Sequence, residues 1–324
     1  MLYKLLSGLA VTAMALITTT APVSAQDYPS KPSRIVVPYN AGGAVDYVGR
    51  VSAEGLSKLF GQNFVVENRP GASAAIGIQF VKNAAPDGYT FLFTSVTSNA
   101  ITAAMEPGVG GYDLKADLQP VGLVGQVPLV LVASASVPAT TVAELIEYAK
   151  TQEQPLAYAS SGVGSTEHLG ALAFAQAAGI ELRHIPYTGG APAMTDVAAG
   201  RVPLMIATLP TAQPQIEAGT IKALAVAVEE RVQNLPDVPT AAEAGLEGFA
   251  VASVYGLLAP AGIDAGILAA LRENLAAMVA SPEFSQMMLD RGIIPNALVS
   301  EDPDAAYVAE IDLWAELVAQ IEAE

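Results

Sequence analysis

Short apolar runs alternate along the chain with segments whose apolar residues recur at helical spacing. Residues 34–38 form an apolar run typical of a buried strand, and residues 48–59 then follow a helical repeat that stops at Gly61. Further strands are predicted at 64–66, 89–93, 121–134, 156–159, 183–185, 202–207 and 221–228, with the 121–134 run split into two strands near Gly125. Further helices are predicted at 73–84, 141–151 with a Thr140/Thr141 cap, 166–178, 190–199, 267–279 and 305–321, the last two packing Leu, Met and Trp314 inward.

Strands that alternate with helices are typical of an α/β protein whose parallel sheets carry helices on both faces. The alternation occurs twice, at about 33–125 and again at about 155–228. We therefore expect two α/β lobes. In sheets of this kind, ligands lie at the carboxyl ends of the strands.

The N-terminus has the features of a secretory signal. Lys4 is followed by an apolar stretch at 5–17, which is too short to span a bilayer, and Val23-Ser24-Ala25 has the small-x-small pattern of a cleavage site. We expect residues 1–25 to be removed and the protein to be periplasmic; an N-terminal membrane anchor is the alternative. The chain has no cysteine, which excludes disulfides, thiolate metal sites, cysteine nucleophiles and a lipoprotein anchor.

Five turns that follow predicted strands are rich in small polar residues. Taken singly, each could be an ordinary strand-to-helix connection, but together they mark one edge of each sheet. They are PYNAGG (38–43), NRPGASAAIG (68–77), TSVTSNAI (94–101), SSGVGSTEHLG (160–170) and PYTGGAPAMTD (186–196).

The first chemistry to test at such turns is phosphate binding, and the details exclude it. The chain has no G-x-x-x-x-G-K-[ST] motif, and Glu167 stands where a dinucleotide fingerprint needs its third glycine. A hydrolase site is excluded as well. No G-x-S-x-G elbow occurs, and Glu167 or Glu181 would be poorly placed as the acid of a hydrolase triad ending at His184. We therefore expect no catalytic residue.

Metal binding is the third chemistry to test. His168 and His184 are the only histidines and lack metal-ligand spacing, so we expect both to be packed histidines. We expect no metal and no cofactor.

The remaining chemistry is the binding of an anion by neutral groups. The formal net charge is −17 and becomes one unit more negative when Lys4 is removed, which argues against nucleic acid as a partner. Arg69 is the only cation within the five turns. Backbone N–H groups, helix N-termini and Ser, Thr and Asn side chains must then hold the ligand, which suits a reversibly bound carboxylate.

At these residues the sequence resembles the extracytoplasmic solute receptors of tripartite tricarboxylate transporters, over nearly all of the chain after residue 25. The matching stretches are IVVPYNAGGAVDYVGR (35–50), VVENRPGASAAIG (65–77), APDGYTFLFTS (85–95), IPYTGGAPAMTDVAAGRVPLMI (185–206) and IKALAVAVEERVQNLPDVPTAAEAGL (221–246). The resemblance implies a two-lobed, type II periplasmic binding protein, each lobe a mostly parallel sheet flanked by helices, with the ligand in the cleft between the lobes. The lobes would be residues 26–125 with 253–324, and residues 126–252.

The resemblance also implies a function and a set of site residues. The protein would be a monomer that closes on a small carboxylated solute (a dicarboxylate, tricarboxylate, amino acid or aromatic acid) and passes it to two transporter membrane subunits. Presentation of the solute to a membrane sensor kinase is the alternative. The implied ligand contacts, partly through ordered water, are Tyr39, Asn40, Gly42, Gly43, Asp46, Ala72, Ser73, Ser95, Asn99, Ser160, Ser161, Ser165, Thr166, Tyr187, Thr188 and Thr208.

Several positions depart from the family pattern and bear on the pocket. Asn40 stands where the family usually has a small apolar residue or proline, and Ala74-Ala75 stands where it has a glycine followed by a polar residue. Val254 replaces a frequent tryptophan, and Pro203 replaces a usual aspartate. Asp46 is unfavourable beside an anion unless it orders its own helix and turn, which is the role we favour. The alternative is that Asp46 accepts an ammonium or hydroxyl group of the ligand.

Overall fold

A computed structural model describes residues 28–108, 110–295 and 302–322. The predicted signal segment, residues 1–25, lies outside these ranges. The strands are β1 (Ser33–Val37), β2 (Phe64–Asn68), β3 (Thr90–Ser95), β4 (Leu118–Ser134), β5 (Leu156–Ser160), β6 (Leu182–Pro186), β7 (Leu204–Thr208), β8 (Ile221–Val226), β9 (Ala252–Pro260) and β10 (Ile294–Pro295). The helices are α1 (Ala44–Phe60), α2 (Ala75–Lys82), α3 (Val96–Met105), α4 (Leu114–Asp117), α5 (Val142–Lys150), α6 (Thr166–Ala178), α7 (Gly190–Ala198), α8 (Leu209–Glu217), α9 (Ala265–Val279), α10 (Pro282–Leu289) and α11 (Pro303–Glu322).

The strands form one mixed sheet in the order β2-β1-β3-β9-β4-β7-β5-β6, with β8 and β10 also paired to β4. The outer strands pair in parallel, as the strand–helix alternation predicts. In one half of the sheet β1 pairs with both β2 and β3, and in the other half β5 pairs with both β6 and β7. The central pairs of β9 with β3 and β4, and of β4 with β7 and β8, are antiparallel. The two halves are therefore parallel at their outer edges and joined by antiparallel strands.

β4 connects the two halves of the sheet. It pairs with β9 from Leu118 to Pro128, and from Leu129 onward it pairs with β7 and β8. The prediction of two strands broken near Gly125 was wrong: the strand is continuous and only its register shifts between Leu123 and Gly125. Gly125 is a point of close approach, because a Cβ there would lie 2.7 Å from the carbonyl oxygen of Ile294 in β10.

Successive residues of the central strands face opposite layers of helices. Ile35 and Phe91 are fully buried with α1 and α9, whereas Val36 and Leu92 are buried on the other face with α2, α3 and α11. Trp314 of α11 is 2% exposed in that second layer, which confirms its predicted inward position. Among the described helices, none is both long and apolar enough to cross a membrane.

Several helix boundaries follow the predicted signals. α1 ends at Gly61, whose φ of 65° is left-handed and whose N–H donates to the Ser57 carbonyl at 3.0 Å. Thr141 caps α5 by accepting the N–H of Glu144 at 3.2 Å. The pattern missed β9, β10, α4, α8 and α10. Most of the supposed turn at 94–101 is the start of α3.

Candidate functional site

Helices α1, α3, α6, α7 and α8 each begin within a few residues of a strand's carboxyl end, so their N-termini gather at one edge of the sheet. The Oγ atom of Ser98 in α3 lies 3.4 Å from the Oγ1 atom of Thr166 in α6. Gly164, just before α6, approaches the Met105 sulfur at the end of α3. These contacts bring loops from the two halves of the sheet together across a cleft.

The Gly-Gly turn before α1 is held by Asp46. This carboxylate is buried and accepts the Gly42 N–H at 2.9 Å, two bonds from the Arg50 guanidinium at 2.9 and 3.0 Å, and the Asn68 side-chain amide at 2.8 Å. Burial alone would raise the pKa of Asp46, but these hydrogen bonds and the Arg50 charge outweigh burial and hold it below its usual value. These four hydrogen bonds tie the Gly-Gly turn, α1 and β2 together, which is what a turn-ordering role of Asp46 requires.

The loop before α2 has an unusual backbone. Three consecutive non-glycine residues have positive φ: Ala72 at 46°, Ser73 at 50° and Ala74 at 76°. Each such residue costs roughly 1–3 kcal/mol, and such strain is concentrated at functional sites. In the described chain, the N–H groups of these three residues donate to no protein acceptor. Ala72 and Ser73 are exposed and line a cavity of about 490 Å³, whose other walls include α3 and α11.

The polar residues at the end of β3 form a connected set. The Tyr39 hydroxyl donates to the Asn99 side chain at 3.1 Å, and the Asn99 amide donates to Thr94 at 2.7 Å. Ser95 caps α3 by accepting the Ser98 N–H at 3.1 Å. Burial raises the pKa of Tyr39 to about 12, so its hydroxyl is neutral. Tyr39 and Asn99 therefore both use hydrogen-bonding groups within the protein.

The loop between β5 and α6 is supported from below by both histidines. The His168 and His184 rings stack with centroids 4.0 Å apart; His184 bonds the Ser160 hydroxyl at 2.6 Å, and His168 accepts the Gly164 N–H at 3.2 Å. Burial lowers the pKa of both rings, to about 4 for His168, where the neighbouring His184 adds to the effect. Both histidines are thus packed and neutral. In the described part of the chain, no group of three His, Cys, Asp or Glu residues has the arrangement of a metal site.

Glu167 lies beside the predicted contact residues, but the sequence did not predict it as one of them. It is 8% exposed, and its carboxyl accepts the Ser161 hydroxyl at 2.6 Å. The carboxyl also lies beside Gly190, since a Cβ built there would be 3.9 Å from Oε1. Acidic residues are common in the first turn of a helix, so the sequence gives no sign that Glu167 is special. Its burial becomes evident only in the folded structure.

The remaining predicted residues surround this position. The Tyr187 N–H donates to the Ser160 carbonyl at 3.1 Å, but its hydroxyl turns away to Asp196 at 2.7 Å. The Thr208 hydroxyl lies 2.8 Å from that of Thr211. Thr188 is exposed on the adjoining turn. Tyr187 therefore positions the loop through its backbone, whereas the Thr188 side chain is exposed.

The cations nearest the predicted contact residues, Arg50 and Arg69, are paired with acidic side chains of the protein. Arg69 pairs with Glu67 at 2.6 Å and lies over the Phe80 ring at 3.7 Å. Among the sixteen predicted contact residues, only Asp46 has a direct bond to a cation, Arg50. The donors that face the cleft are consequently neutral.

The four departures from the family pattern lie in different surroundings. Asn40 is exposed beside the Gly-Gly turn, and Ala74 carries the left-handed backbone described above. Val254 is buried and borders a cavity of about 580 Å³, which Trp314 also lines. Pro203 accepts the Ser134 N–H at 2.8 Å, between β4 and β7. Only Asn40 and Ala74 therefore lie at the turns of the candidate site.

Comparisons with known proteins agree with this arrangement. The model of the tripartite tricarboxylate transporter family receptor matches residues 48–322. BugT of Bordetella pertussis is 33% identical over 302 residues, covering 93% of this chain and 92% of that protein. The solved structure of R. palustris Rpa4515 with adipate has a TM-score of 0.77 and 35% identity, covering 90% of this chain and 98% of that one.

The solved structure of the periplasmic binding protein BugD is similar as well, with a TM-score of 0.76 and 34% identity over 92% of this chain and 99% of that one. These likenesses confirm the predicted fold class, a two-lobed α/β periplasmic binding protein. The chain therefore belongs to the receptor family of tripartite tricarboxylate transporters, whose members are solute-binding proteins and not enzymes.

Proposed function

We propose that this chain is a periplasmic receptor that closes on a small carboxylated solute and delivers it to the membrane subunits of a tripartite tricarboxylate transporter. The observation that carries the proposal is the meeting of strand-terminal loops from both halves of the sheet, at Ser98 and Thr166. Adipate, named with the R. palustris structure, is a carboxylate, which supports the solute class.

We propose the lobe boundaries a few residues before the point where β4 changes partners. The first lobe would be residues 26–125 with 253–324, and the second would be residues 126–252. The exchange of β9 for β7 and β8 at Leu129, together with the start of β9 at Ala252, supports a hinge at these two crossings. A solute held by loops from both lobes would then draw them together.

We divide the predicted contact residues by whether we expect them to touch the solute or to position the residues that do. Ser161, Tyr39 and Thr208 are counted in the first group although their hydroxyls already have a partner in the protein. Residues that can reach a solute are Tyr39, Asn40, Gly43, Ala72, Ser73, Ser161, Thr166, Thr188 and Thr208. Residues whose groups are used within the protein, and which position the others, are Gly42, Asp46, Ser95, Asn99, Ser160, Ser165 and Tyr187.

The affinity expected from neutral donors is moderate. A hydrogen bond to a charged group contributes about 1.5–3 kcal/mol net, so four to six of them, less the cost of association, give roughly micromolar binding, about −8 kcal/mol. This strength suits a receptor that must release its solute. Ordered water can complete the shell where no side chain reaches.

The test is a thermal-shift panel on refolded, ligand-stripped protein, with each carboxylate paired with its primary amide. A ligand at about 100 times its Kd stabilises by about 2.7 kcal/mol, so at least one carboxylate should raise the melting temperature by several degrees while its amide does not. The Gly43→Val variant should lose this shift and keep the melting temperature of the free protein. A panel without any shift, or an equal shift in the variant, would contradict the proposal.

The export prediction has its own measurement. If residues 1–25 are a cleaved signal, mature protein begins at Gln26. N-terminal sequencing of material released from the periplasm should give Gln26 as the first residue. A protein that still begins at Met1 would contradict the signal-peptide prediction.

A further inference from the structure

The buried Glu167 carboxyl occupies a position within the candidate site that other features of the cleft do not explain. It belongs to the first turn of α6, receives the Ser161 hydroxyl at 2.6 Å and lies beside Gly190 at the start of α7. Two helix N-termini thus point toward it. The part of the second lobe best suited to a solute carboxylate is already filled by a carboxyl group of the protein.

Glu167 has no compensating cation among the described residues. Burial raises its pKa, and hydrogen bonds from Ser161, its own N–H and Ser165 only partly oppose that effect. A buried carboxyl of this kind is stabilised when a cationic or proton-donating group arrives.

The titratable groups that adjoin Glu167 from β9 and from below its loop are neutral. From β9, Tyr255 is close enough to influence the carboxyl electrostatically, and burial raises the pKa of that phenol. Below the loop, burial lowers the pKa of His168 and His184, and Thr211 of α8 borders Gly190. A second carboxylate on the solute would therefore meet Glu167 with nothing to neutralise the pair.

We propose that Glu167 sets the solute class: the cleft takes a solute with one carboxylate at the α1 and α2 turns and an ammonium group directed at Glu167, and it disfavours dicarboxylates. The proposal rests on the receptor function and makes it narrower. A close, desolvated pair of opposite charges, compared with a pair of like charges, supports a preference of about a hundredfold.

The test uses solutes matched in length. Each dicarboxylate from malonate to adipate is compared by calorimetry with the amino acid in which an ammonium group replaces one carboxylate, from glycine to 5-aminopentanoate. With wild-type protein at neutral pH, the best amino acid should bind about a hundredfold more tightly than its dicarboxylate counterpart.

The Glu167→Gln variant should reduce this ratio by tenfold or more, because the amide retains the shape of the side chain and removes its charge. Glu181→Gln is the matched control: Glu181 is exposed before β6, the change in net charge is the same, and the ratio should not move. Equal binding of both solute classes by wild type, or an unchanged ratio in Glu167→Gln, would overturn the proposal while leaving the receptor function intact. Binding of neither class, together with no response to any other carboxylate, would instead count against the receptor function.

A second measurement needs no variant. Dicarboxylate binding favours the protonated form of Glu167 and amino-acid binding favours the ionised form. The dicarboxylate should therefore bind with the greater net proton uptake, and its affinity relative to the amino acid should rise as pH falls. Calorimetry in two buffers of different ionisation enthalpy measures this uptake. Equal proton uptake on binding of the two solutes would contradict the role of Glu167 even if the variant failed to fold.

Discussion

Gly43 and Ser165 each immediately precede a helix that begins at the cleft, but they serve the structure differently. At Gly43 a Cβ would meet nothing nearer than the Asn40 carbonyl at 3.9 Å, and the backbone φ of −80° is open to any residue. Ser165 caps α6 by accepting the His168 N–H at 3.1 Å and also donates to the Gly162 carbonyl at 2.7 Å. Gly43 is therefore free for a solute, whereas Ser165 is occupied.

From this difference we expect opposite effects of substituting the two residues. Gly43→Val should leave the melting temperature nearly unchanged and weaken solute binding at least tenfold, because its side chain blocks approach to the turn; Gly43→Ala should weaken it less. Ser165→Ala should lower stability by about 0.5–2 kcal/mol through the lost cap, with a smaller loss of affinity. Denaturant unfolding and calorimetry on all three variants test this, and a larger affinity loss in Ser165→Ala would contradict it.

The Asp46 network makes a pH-dependent contribution to stability. The pKa of Asp46 is held below its reference value of 3.8, so its contribution is fully present above that value and is lost as pH falls below it, through the lower folded-state pKa. Asp46→Asn removes the charge and turns an amide toward the Arg50 or Asn68 donors, which should cost about 1–3 kcal/mol at neutral pH. In urea unfolding from pH 7 to pH 3, the difference in unfolding free energy between wild type and variant should become smaller as pH falls. A difference that stays constant would show that the charge of Asp46 does not stabilise the fold.

At the level of elements, the glycines of β4 show why the strand prediction failed. Gly122 and Gly125 interrupt the apolar pattern as turn residues do, but a Cβ at Gly122 would lie 2.8 Å from Leu275, and one at Gly125 would collide with β10. Both are glycines of close packing, and a sequence alone does not distinguish these from glycines that end a strand. β9 was missed for a related reason: it is buried along almost its whole length and lacks the alternation that marks an exposed strand.

The strained loop before α2 gives an element-scale prediction. Ala72 is exposed and has a φ of 46°. A left-handed backbone conformation costs a non-glycine residue roughly 1–2 kcal/mol. Replacing alanine with glycine removes that cost but adds roughly 0.5–1 kcal/mol of conformational entropy lost on folding. Ala72→Gly should therefore stabilise the protein by about 0.5–1 kcal/mol. Ala269→Gly, an exposed alanine inside α9, is the matched control and should destabilise it by about 1 kcal/mol. The free energies of unfolding of the two variants, measured by chemical denaturation, test this prediction. A loss of stability in Ala72→Gly would show that the loop is unstrained.

For the whole molecule, the sequence predicted the fold more completely than the site. The strand–helix alternation and the turn chemistry are local, so the α/β class and most elements could be inferred from them. The site depends on distant contacts: Ser98 meets Thr166 across 68 positions, and Glu167 acquires its burial only when α6, α7 and β9 assemble. Spacing along the chain carries no signal for such contacts.

Closure of the lobes on a solute can be measured because the chain has no cysteine of its own. Spin labels at Ile76→Cys in the proposed first lobe and Glu153→Cys in the proposed second should give a broad distance distribution without solute and a shorter, narrower one with it. Both positions are exposed. A control pair within the second lobe, Glu153→Cys and Glu217→Cys, should not respond. Identical distributions for the first pair with and without saturating solute would rule out closure.

The central claim is that neutral backbone and hydroxyl donors, without a cation, hold the solute carboxylate. Calorimetric titration of ligand-stripped protein with the carboxylate selected from the panel, at low and at physiological salt, tests it most directly. Helix termini and hydrogen bonds act at short range in a partly buried site, so the Kd should change by less than about tenfold. A collapse of affinity by more than about a hundredfold with salt alone would mean that a cationic side chain holds the anion.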